Sequence, residues 1–307
     1  MIEFHSPSPQ DRAWVLPLLA AESLPLCDYS FPVLFCWQDA YQTRIARLGD
    51  RLLVRLKSSL GSAYLWPAGQ GDPTPALEAL AADAAALGEP LRFICLTLYH
   101  KNWLTAYWPG RMVYEAARDS FDYLYSVDRL SDLPGKKLHA KRNHLHRFDD
   151  ACPGWRWVPL QDSDVPGCLA LDAAWHRAAL GRETLRNNTT LDDERRALAL
   201  AFDHRKTLGL DGVVVRWQDQ ILAFALGAPL TDTVYDVHFE RAGGSVQGDY
   251  AAVNRSFARY VRDRYPEIRY LNREDDMGVP GLRKAKLSYY PEYLQVNFCA
   301  VATGADQ

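Results

Sequence analysis

The sequence predicts a mixed α/β (α+β) fold made of two copies of one unit. In that unit a β-hairpin and a third strand are followed by a helix and a fourth strand. This order of elements is visible in the second half of the chain and recurs in the first half. The 307 residues, 48% of them hydrophobic, are about two domains' worth of chain and supply a sizeable core.

The second half shows the unit most clearly. Residues 211–217 and 221–228 are two apolar runs joined by a short polar turn, which is typical of a hairpin. Residues 233–240 alternate between apolar and polar side chains, as a strand does, and 249–264 repeat apolar residues at helical spacing. A further strand is expected over 268–271.

The first half follows the same order. A hairpin is expected over 44–48 and 51–56, a third strand over 62–66, a helix over 74–87 and a strand over 91–98. Because few residues match between the halves, two explanations stay open. We favour a tandem duplication, and the alternative is coincidence, since this order of elements is common.

The predicted organisation has two modules with a basic segment between them. We expect an N-terminal module at 1–134, a connecting segment at 135–160 and a C-terminal module carrying the functional cleft at 161–307. A run of cations usually forms a solvated helix face, and the alternative is a surface that binds RNA phosphates. The cations of the connecting segment are Lys136, Lys137, Lys141, Arg142 and Arg147.

Composition excludes several classes of protein. A formal net charge of −3 excludes a bulk nucleic-acid binder. No apolar stretch reaches the roughly 18 residues of a membrane span, and the first residues lack the basic start and apolar run of a signal peptide. The six cysteines are scattered without a CxxC pair, so we expect a cytoplasmic protein with reduced thiols.

The third strand of the second half carries two acids and an imidazole on one predicted face. The acids can orient and tune the histidine, or the glutamate can itself serve as a base, so this face suits proton transfer. The alternative is an ordinary solvated strand face. With a period of two, the polar face comprises Asp236, His238 and Glu240, and the opposite face comprises Tyr235, Val237 and Phe239.

A glycine-bearing loop at 242–250 leads into the following helix. Backbone N–H groups at a helix start are unpaired, and glycines let them approach an anion closely, so Gly248 and Tyr250 are predicted to bind a phosphate. Asn254 lies on the apolar side of that helix, where an amide needs partners. We expect it to be buried and hydrogen-bonded, either to a ligand or to a neighbouring loop.

The densest charged segment is 270–291, which predicts a cleft where carboxylates order the cations that bind an anion. Three of its cations lie in the first turn or so of a helix expected after Gly281. The helix dipole disfavours cations there unless acids or an anionic ligand neutralise their charge. Some should therefore pair with Glu274 or Asp275, and Lys284 should point unpaired into the cleft. The network comprises Asp236, Asn272, Arg273, Glu274 and Asp275, and the three cations are Arg283, Lys284 and Lys286.

The stretch 272–291, with the residues NREDDMG and GLRKAKLSY, resembles the family of the phosphatidylglycerol lysyltransferase C-terminal domain. The stretches 136–148, 238–240 and 248–254 are also similar to it, and the resemblance spans most of 120–298. It implies two acetyltransferase-like (GNAT-like) modules side by side, as in aminoacyl-tRNA-dependent transferases. In the lipid-modifying relatives an aminoacyl group moves from tRNA to a lipid headgroup.

We therefore expect an acyl or aminoacyl transferase of the GNAT-like superfamily, with a CoA thioester or an aminoacyl-tRNA as donor. Glu240 or His238 would deprotonate an amine or hydroxyl acceptor, which is a small molecule or a headgroup, and Tyr289 would protonate the leaving group. Arg283, Lys284 and backbone N–H groups near the glycine loop would hold the donor's phosphates. The spacing of ligand-type residues predicts no metal site. The alternative function is a non-catalytic module that binds a phosphorylated ligand in the same cleft.

Overall fold

The computed structural model describes residues 2–179 and 190–303 and has two mixed β-sheets with helices packed against them. The helices are α1 (Arg12–Glu22), α2 (Phe31–Cys36), α3 (Gln38–Tyr41), α4 (Thr74–Ala86), α5 (Leu98–Tyr107), α6 (Val127–Asp132), α7 (His139–Ala151), α8 (Val165–Ala179), α9 (Leu191–Asp203), α10 (Arg205–Leu208), α11 (Asp249–Arg264) and α12 (Pro280–Leu287). None of these described helices is both long and apolar enough to cross a lipid bilayer.

The first sheet has seven strands. They are β1 (Arg44–Leu48), β2 (Arg51–Ser58), β3 (Gly61–Tyr64), β4 (Ala68–Gly69), β5 (Arg92–Leu96), β6 (Met112–Ala116) and β14 (Phe298–Ala302). The order is β1-β2-β3-β5-β14-β6, with the short β4 paired to β2. β3 and β5 are parallel, and the other pairs are antiparallel.

The second sheet also has seven strands. They are β7 (Asp122–Ser126), β8 (Arg156–Pro159), β9 (Asp211–Trp217), β10 (Gln220–Pro229), β11 (Val234–Ala242), β12 (Tyr270–Asn272) and β13 (Tyr293–Gln295). The order is β13-β7-β12-β11-β10-β9-β8, and only β11 and β12 are parallel among these pairs. The predicted bounds of β9 and α11 are confirmed to the residue.

The two sheets are built on the same plan. In each, an antiparallel hairpin and a third strand are followed by a helix and then by a strand parallel to the third. β1, β2, β3 and β5 in the first sheet correspond in this way to β9, β10, β11 and β12 in the second, with α4 and α11 as the connecting helices. This shared order confirms the predicted pair of modules.

The sheets exchange one strand each. β14, near the C-terminal end, lies between β5 and β6, and β7 lies between β12 and β13. The expected boundaries 1–134, 135–160 and 161–307 therefore do not separate the two sheets. β7 and β8 belong to the second sheet, and β14 belongs to the first. The prediction failed here because local alternation identifies a strand without identifying its partner.

Hydrophobic side chains form two core clusters that lie against opposite faces of the second sheet. Val214 and Phe224 belong to the first cluster, which also covers the first sheet. Val213 and Val215, on the other face, belong to the second cluster together with the buried side of α11. The second sheet is thus covered on both faces, and its polar side chains are enclosed rather than solvated.

β11 departs from strict alternation. Between Asp236 and Phe239, three steps along β11 match two along β10, which is a β-bulge. Phe239 consequently packs in the first core cluster, whereas Tyr235 and Val237 pack in the second. The prediction that these three share a face is wrong for Phe239, and Glu240 is turned away from the face that carries Asp236, because the bulge inserts one residue.

β11 and β12 are neighbours only over a short length. Their parallel pairing ends at Asp236 and Asn272, and no further pair joins them along the rest of β11. The chain after β12 runs into α12, while β11 continues in the sheet with β10. The two strands therefore part, and a cavity opens between them.

Candidate functional site

A cavity of about 530 Å³ lies where β11 and β12 part. Its wall includes Cys27, Asp28 and Trp37 from the N-terminal part of the chain, so both halves build it. Gly248, Arg283 and Lys284 do not line it. The predicted site residues that do line it are His238, Glu240, Tyr250, Arg273, Glu274, Asp275, Lys286 and Tyr289. Those that are buried in contact with or beside lining residues are Asp236, Asn254 and Asn272.

Glu240 and Arg273 form an ion pair across the gap between the two strands. Nη2 of Arg273 donates to Oε1 of Glu240 at 2.8 Å, and Nδ2 of Asn254 donates to Oε2 at 3.0 Å. Burial alone would lower the pKa of Arg273, but the Glu240 carboxylate outweighs it and raises that pKa. Asn254 is 2% exposed, which confirms that it is buried and hydrogen-bonded. Both oxygens of Glu240 thus accept hydrogen bonds, and this carboxylate orients Arg273.

Lys141, which sequence reasoning did not single out for the cleft, enters the cavity from α7. Its Nζ lies 3.8 Å from the centre of the Tyr289 ring and donates to Oγ of Ser288 at 2.6 Å. Burial and the charge of Arg273 lower the pKa of Lys141 from 10.5 to about 8, while Glu240 opposes the shift. Its place four residues before the buried Leu145 was a usable signal, because residues at that spacing share a helix face.

Tyr289 lines the cavity beside Lys141 and Arg273. It is 8% exposed, and the guanidinium carbon of Arg273 is 5.0 Å from its ring centre. Burial raises the pKa of Tyr289, although the charge of Arg273 opposes this. The hydroxyl therefore stays protonated at neutral pH, as a proton donor must.

A set of carboxyl groups lines another part of the cavity wall and extends behind it. Burial and the neighbouring negative charges raise the pKa values of Asp28, Asp236 and Asp275. Burial and the charge of Asp28 likewise raise the pKa of Asp122 to about 7. Asp28 and Asp122 come from segments remote in sequence, and no local pattern marks them as part of this group. Each of these acids resists ionisation, and a positive charge beside them would lower their pKa values.

His238 is enclosed by this acidic group. Its Nδ1 is 3.4 Å from Oδ2 of Asp236 and 3.4 Å from Oε1 of Glu274. Its Nε2 faces Oγ of Ser30 at 3.5 Å. The polar strand side chains predicted to act together are thus divided, because Glu240 belongs to the cationic wall and His238 to the acidic one.

Lys286, rather than Lys284, is the lysine of α12 that reaches the cavity. Its ammonium donates to the backbone carbonyls of Arg273 and Glu274, the latter at 3.1 Å. Burial lowers the pKa of Lys286, although Asp275 opposes the shift. Lys284 is exposed to solvent, so the prediction that it points into the cleft is wrong. The helical spacing was right, but the side turned inward was misassigned.

Arg283 lies outside the cavity in an ion-pair network. It donates to both oxygens of Asp276, at 2.9 and 2.7 Å, and to Asp119 at 2.6 Å. Burial alone would raise the pKa of Asp276, but hydrogen bonds from Arg283 and others lower it to about 2. Acidic side chains do pair with a cation at the start of this helix, as predicted. The partners of Arg283 are Asp276 and Asp119 rather than Glu274 or Asp275.

The glycine loop before α11 is closed by the chain itself. The carboxylate of Asp249 accepts from the backbone N–H groups of Gly244, at 2.7 Å, and Tyr250, at 2.8 Å. A side chain at Gly248 would put its Cβ 2.1 Å from the carbonyl oxygen of His144 on α7. The predicted phosphate site is not supported here, because Asp249 accepts from two of the backbone N–H groups and Gly248 serves the close packing of two helices. Tyr250 lines the cavity with its side chain.

Asn272 ties the acidic wall to the N-terminal part of the chain. Its Nδ2 donates to Oδ2 of Asp122 at 2.7 Å and to the carbonyl of Pro25 at 3.1 Å. Its Oδ1 accepts from the backbone N–H of Glu274 at 2.7 Å. This predicted network residue therefore positions its neighbours.

The aromatic part of the wall was also missed. The guanidinium carbon of Arg241 lies 3.8 Å from the centre of the Trp175 ring, and its Nε donates to Asp172 at 2.8 Å. Trp37 stacks on Phe239 with ring centres 6.4 Å apart. The bulge in β11 turns Phe239 toward Trp37, which a strict period of two would not predict.

Comparison with known proteins gives a family and a fold. A model of the family described as "Phosphatidylglycerol lysyltransferase, C-terminal" matches residues 24–301. An uncharacterized protein of Mycoplasmoides gallisepticum is 22% identical over 203 residues, which are 65% of this chain and 61% of that protein. The chain thus spans about six tenths of the length of this curated relative.

Three solved structures show the same architecture. A conserved protein of unknown function from Bacteroides thetaiotaomicron is 32% identical with a TM-score of 0.89, over 99% of this chain and 100% of that one. L-PGS from Bacillus licheniformis is 14% identical with a TM-score of 0.69, over 98% and 94%. A tandem GNAT protein from the clavulanic acid biosynthesis pathway is 13% identical with a TM-score of 0.51, over 100% of both chains. The fold is therefore that of two tandem GNAT-like modules, as predicted.

Proposed function

The chain belongs to the phosphatidylglycerol lysyltransferase C-terminal family, which has a GNAT-like transferase fold, and from this premise we propose that it is an aminoacyl transferase. It moves an aminoacyl group from the ester of an aminoacyl-tRNA to an amine or hydroxyl acceptor. The observation that carries the proposal is the guanidinium of Arg273, which is held by Glu240 beside Lys141 and Tyr289 in one cavity. Such a constellation suits attack on an ester carbonyl.

Arg273 supplies the electrostatic part of the reaction. Nη2 is engaged by Glu240, whereas the buried Nη1 has no hydrogen-bond acceptor among the described residues. A fixed donor with a free N–H in a partly water-excluded cavity stabilises the negative charge that develops on a carbonyl oxygen under attack. Glu240 and Asn254 act as positioning residues, because they hold the guanidinium and its counter-charge in place.

Lys141 and Tyr289 supply the proton transfers. In its neutral form, Lys141 accepts the proton that the acceptor amine or hydroxyl loses as its nitrogen or oxygen bonds to the carbonyl carbon. Tyr289 donates a proton to the ester oxygen as the carbon–oxygen bond breaks, so the tRNA leaves with a free hydroxyl. A lysine with a pKa of about 8 suits the first role, and a tyrosine held protonated suits the second.

The acidic wall supports an aminoacyl donor over a simple acyl donor. An aminoacyl group carries an ammonium within a few bonds of the ester carbonyl, whereas an acetyl group is neutral. Asp28 and Asp275 line the same cavity, and their carboxyls match such a positive charge. The closed loop before α11 leaves its donors to Asp249, which weakens the case for the phosphates of CoA. Lys136 and Lys137, exposed just before α7, are suited to RNA phosphates.

The test compares donors with one variant and a matched control. Purified protein is given tRNA charged with labelled basic, neutral or acidic amino acids, or labelled acetyl-CoA, with small amines and phosphatidylglycerol vesicles as acceptors. We expect transfer from aminoacyl-tRNA, reduced at least about 100-fold by Arg273→Lys, which keeps the charge but loses the second donor arm. Arg47→Lys, at an exposed position of β1, should leave the rate unchanged.

Each other outcome has a definite meaning. Transfer from acetyl-CoA alone would overturn the donor assignment while keeping the transferase. No transfer from any donor, together with stabilisation of the fold by inorganic phosphate or nucleotides, would favour the non-catalytic binding module. Equal rates for the Arg273→Lys and Arg47→Lys variants would remove Arg273 from the mechanism.

A further inference from the structure

The inner end of the cavity brings two carboxylates and an imidazole together. Asp236 and His238 come from β11 at its bulge, and Glu274 follows β12 by two residues. The donor atoms of these three side chains all lie within 4.8 Å of one another. One small ion placed among them would contact all three.

These donor atoms contact one another at ion-pair distance but receive no hydrogen bond from the described part of the chain. Asp236 is fully buried, yet neither of its carboxylate oxygens receives a hydrogen bond from the described part of the chain. Nδ1 of His238, which is 7% exposed, and Oε1 of Glu274 are buried without a hydrogen bond as well. Buried polar atoms are almost always satisfied by hydrogen bonds from protein or water or by an ion, so buried atoms without a hydrogen bond in one cluster indicate that something binds there.

The separations suit metal ligation better than hydrogen bonding. The two distances from Nδ1 of His238, 3.4 Å each to Asp236 and Glu274, are longer than the usual range of about 2.7–3.2 Å for N–H···O. Ligands bound at about 2.0–2.2 Å around a tetrahedral metal lie roughly 3.3–3.6 Å from each other. The two separations from His238 therefore fit ligands of one ion, and all three donor atoms lie within 4.8 Å of one another.

Neighbouring groups hold the three side chains in place. Glu274 has φ of 54°, in the left-handed region that non-glycine residues rarely adopt. Its backbone is fixed on both sides, since its N–H donates to Asn272 and its carbonyl accepts from Lys286. Nε2 of His238 faces Oγ of Ser30, and a proton on Nε2 leaves the lone pair of Nδ1 for a metal.

The nearby cations are occupied elsewhere. Lys286 is directed to the backbone carbonyls of Arg273 and Glu274, and the guanidinium of Arg273 is directed to Glu240. The charge of Lys286 still attracts Asp236 and Asp275, but among the described residues no lysine or arginine lies at ion-pair distance from Asp236 or Glu274, which leaves room for a bound cation. His238 and Glu274 also line the cavity, so an ion held by them would have an open side.

We propose that Asp236, His238 and Glu274 bind one divalent transition-metal ion, with Zn²⁺ as the best match, and leave a coordination position open to the cavity. One imidazole nitrogen and two carboxylates are a donor set that Zn²⁺ accepts at a three-ligand site, whereas Mg²⁺ and Ca²⁺ favour more oxygens. Sequence spacing could not show the site, because its members come from two strands joined only by the fold. The site does not depend on the proposed transfer reaction.

The test measures binding without donor or acceptor. The full chain is freed of metal with a chelator and titrated calorimetrically with Zn²⁺, Mn²⁺ and Mg²⁺. We expect one Zn²⁺ per chain, bound at least 100-fold more weakly by His238→Gln and by Glu274→Gln. His146→Gln, at an exposed histidine of α7, is the matched control and should bind like the unaltered chain. Circular dichroism shows whether each variant is folded.

A second measurement uses only the unaltered chain, so it survives a variant that fails to fold. Co²⁺ in the site should give the visible absorption bands of four- or five-coordinate cobalt, and one equivalent of Zn²⁺ should abolish them. Absence of a one-to-one complex, or equal Zn²⁺ affinity in all variants, overturns the proposal. If ethylamine binds with the same dependence on His238 and Glu274 while Zn²⁺ does not, the group is an ammonium site and the metal assignment is wrong.

Discussion

The pKa of Lys141 should lie well below the ordinary lysine value. Burial and the charge of Arg273 lower its pKa to about 8, and the Glu240 carboxylate acts in the opposite direction. At pH 7 a group of that pKa is about one-tenth neutral, whereas a lysine at the ordinary value is neutral in only roughly 0.03% of molecules. The environment therefore raises the concentration of the neutral amine by roughly 300-fold.

Changing the neighbouring carboxylate tests the cause. Glu240→Gln removes the negative charge that stabilises the protonated amine, so the pKa of Lys141 should fall further. Lysines are reductively dimethylated with carbon-13 formaldehyde, and the signal lost in Lys141→Met is followed by NMR as a function of pH. Exposed Lys137 supplies a reference signal in the same spectrum.

The sign of the associated stability change is also fixed. Between pH 8 and 10.5 the unfolded chain holds the Lys141 proton more tightly than the folded chain does, so this group makes stability rise with pH across that window. If transfer depends on the neutral amine, the rate should rise through about pH 8 and lose that limb in Lys141→Met. Titration of the Lys141 signal near the ordinary lysine value, or a higher pKa in Glu240→Gln, would refute the reasoning.

Two paired substitutions test the corrected assignments by urea denaturation. Gly248→Ala should cost about 2–4 kcal/mol of unfolding free energy, because the new Cβ meets a carbonyl of α7 at a left-handed φ, whereas Gly244→Ala, in open space, should cost about 1 kcal/mol. Equal costs would contradict the close-packing role. Lys286→Met should cost about 3–5 kcal/mol, because it leaves buried carboxyls and carbonyls without their cation, and Lys284→Met should change stability by less than about 0.5 kcal/mol. A larger cost for Lys284→Met than for Lys286→Met would indicate that Lys284, rather than Lys286, reaches the cleft.

Local periodicity was enough to predict the repeated unit. The Val-rich run of β9, the turn into β10 and the apolar spacing of α11 are each determined by neighbours within one element, and their positions agree closely with the structure. β7 and β14 were not assigned to their sheets, because alternation carries no information about pairing partners. The exchange of strands depends on the fold of the whole chain, and no local sequence pattern indicates it.

Sequence reasoning predicted those parts of the candidate site in which the contacting residues are close in sequence or lie on a single helix. Asn254 and Glu240 are 14 residues apart, and the helical spacing of α11 correctly predicted that the amide is buried and bonded. The bulge in β11 broke the same kind of argument, because one inserted residue reverses every later side chain. Lys141 could have been found from its helix face, since buried Leu145 lies one turn further on.

The contacts that decide the chemistry of the cavity span much greater distances along the chain. Lys141 and Ser288 are separated by 147 residues, and Asp122 and Asn272 by 150. Asp122 belongs to the strand that crosses into the second sheet, so the exchange of strands itself delivers an acid to the back of the cavity. The balance between the cationic and acidic walls is therefore set by topology rather than by any motif, and the segment 270–291 acquires its function only when the other half of the chain supplies the opposing charges.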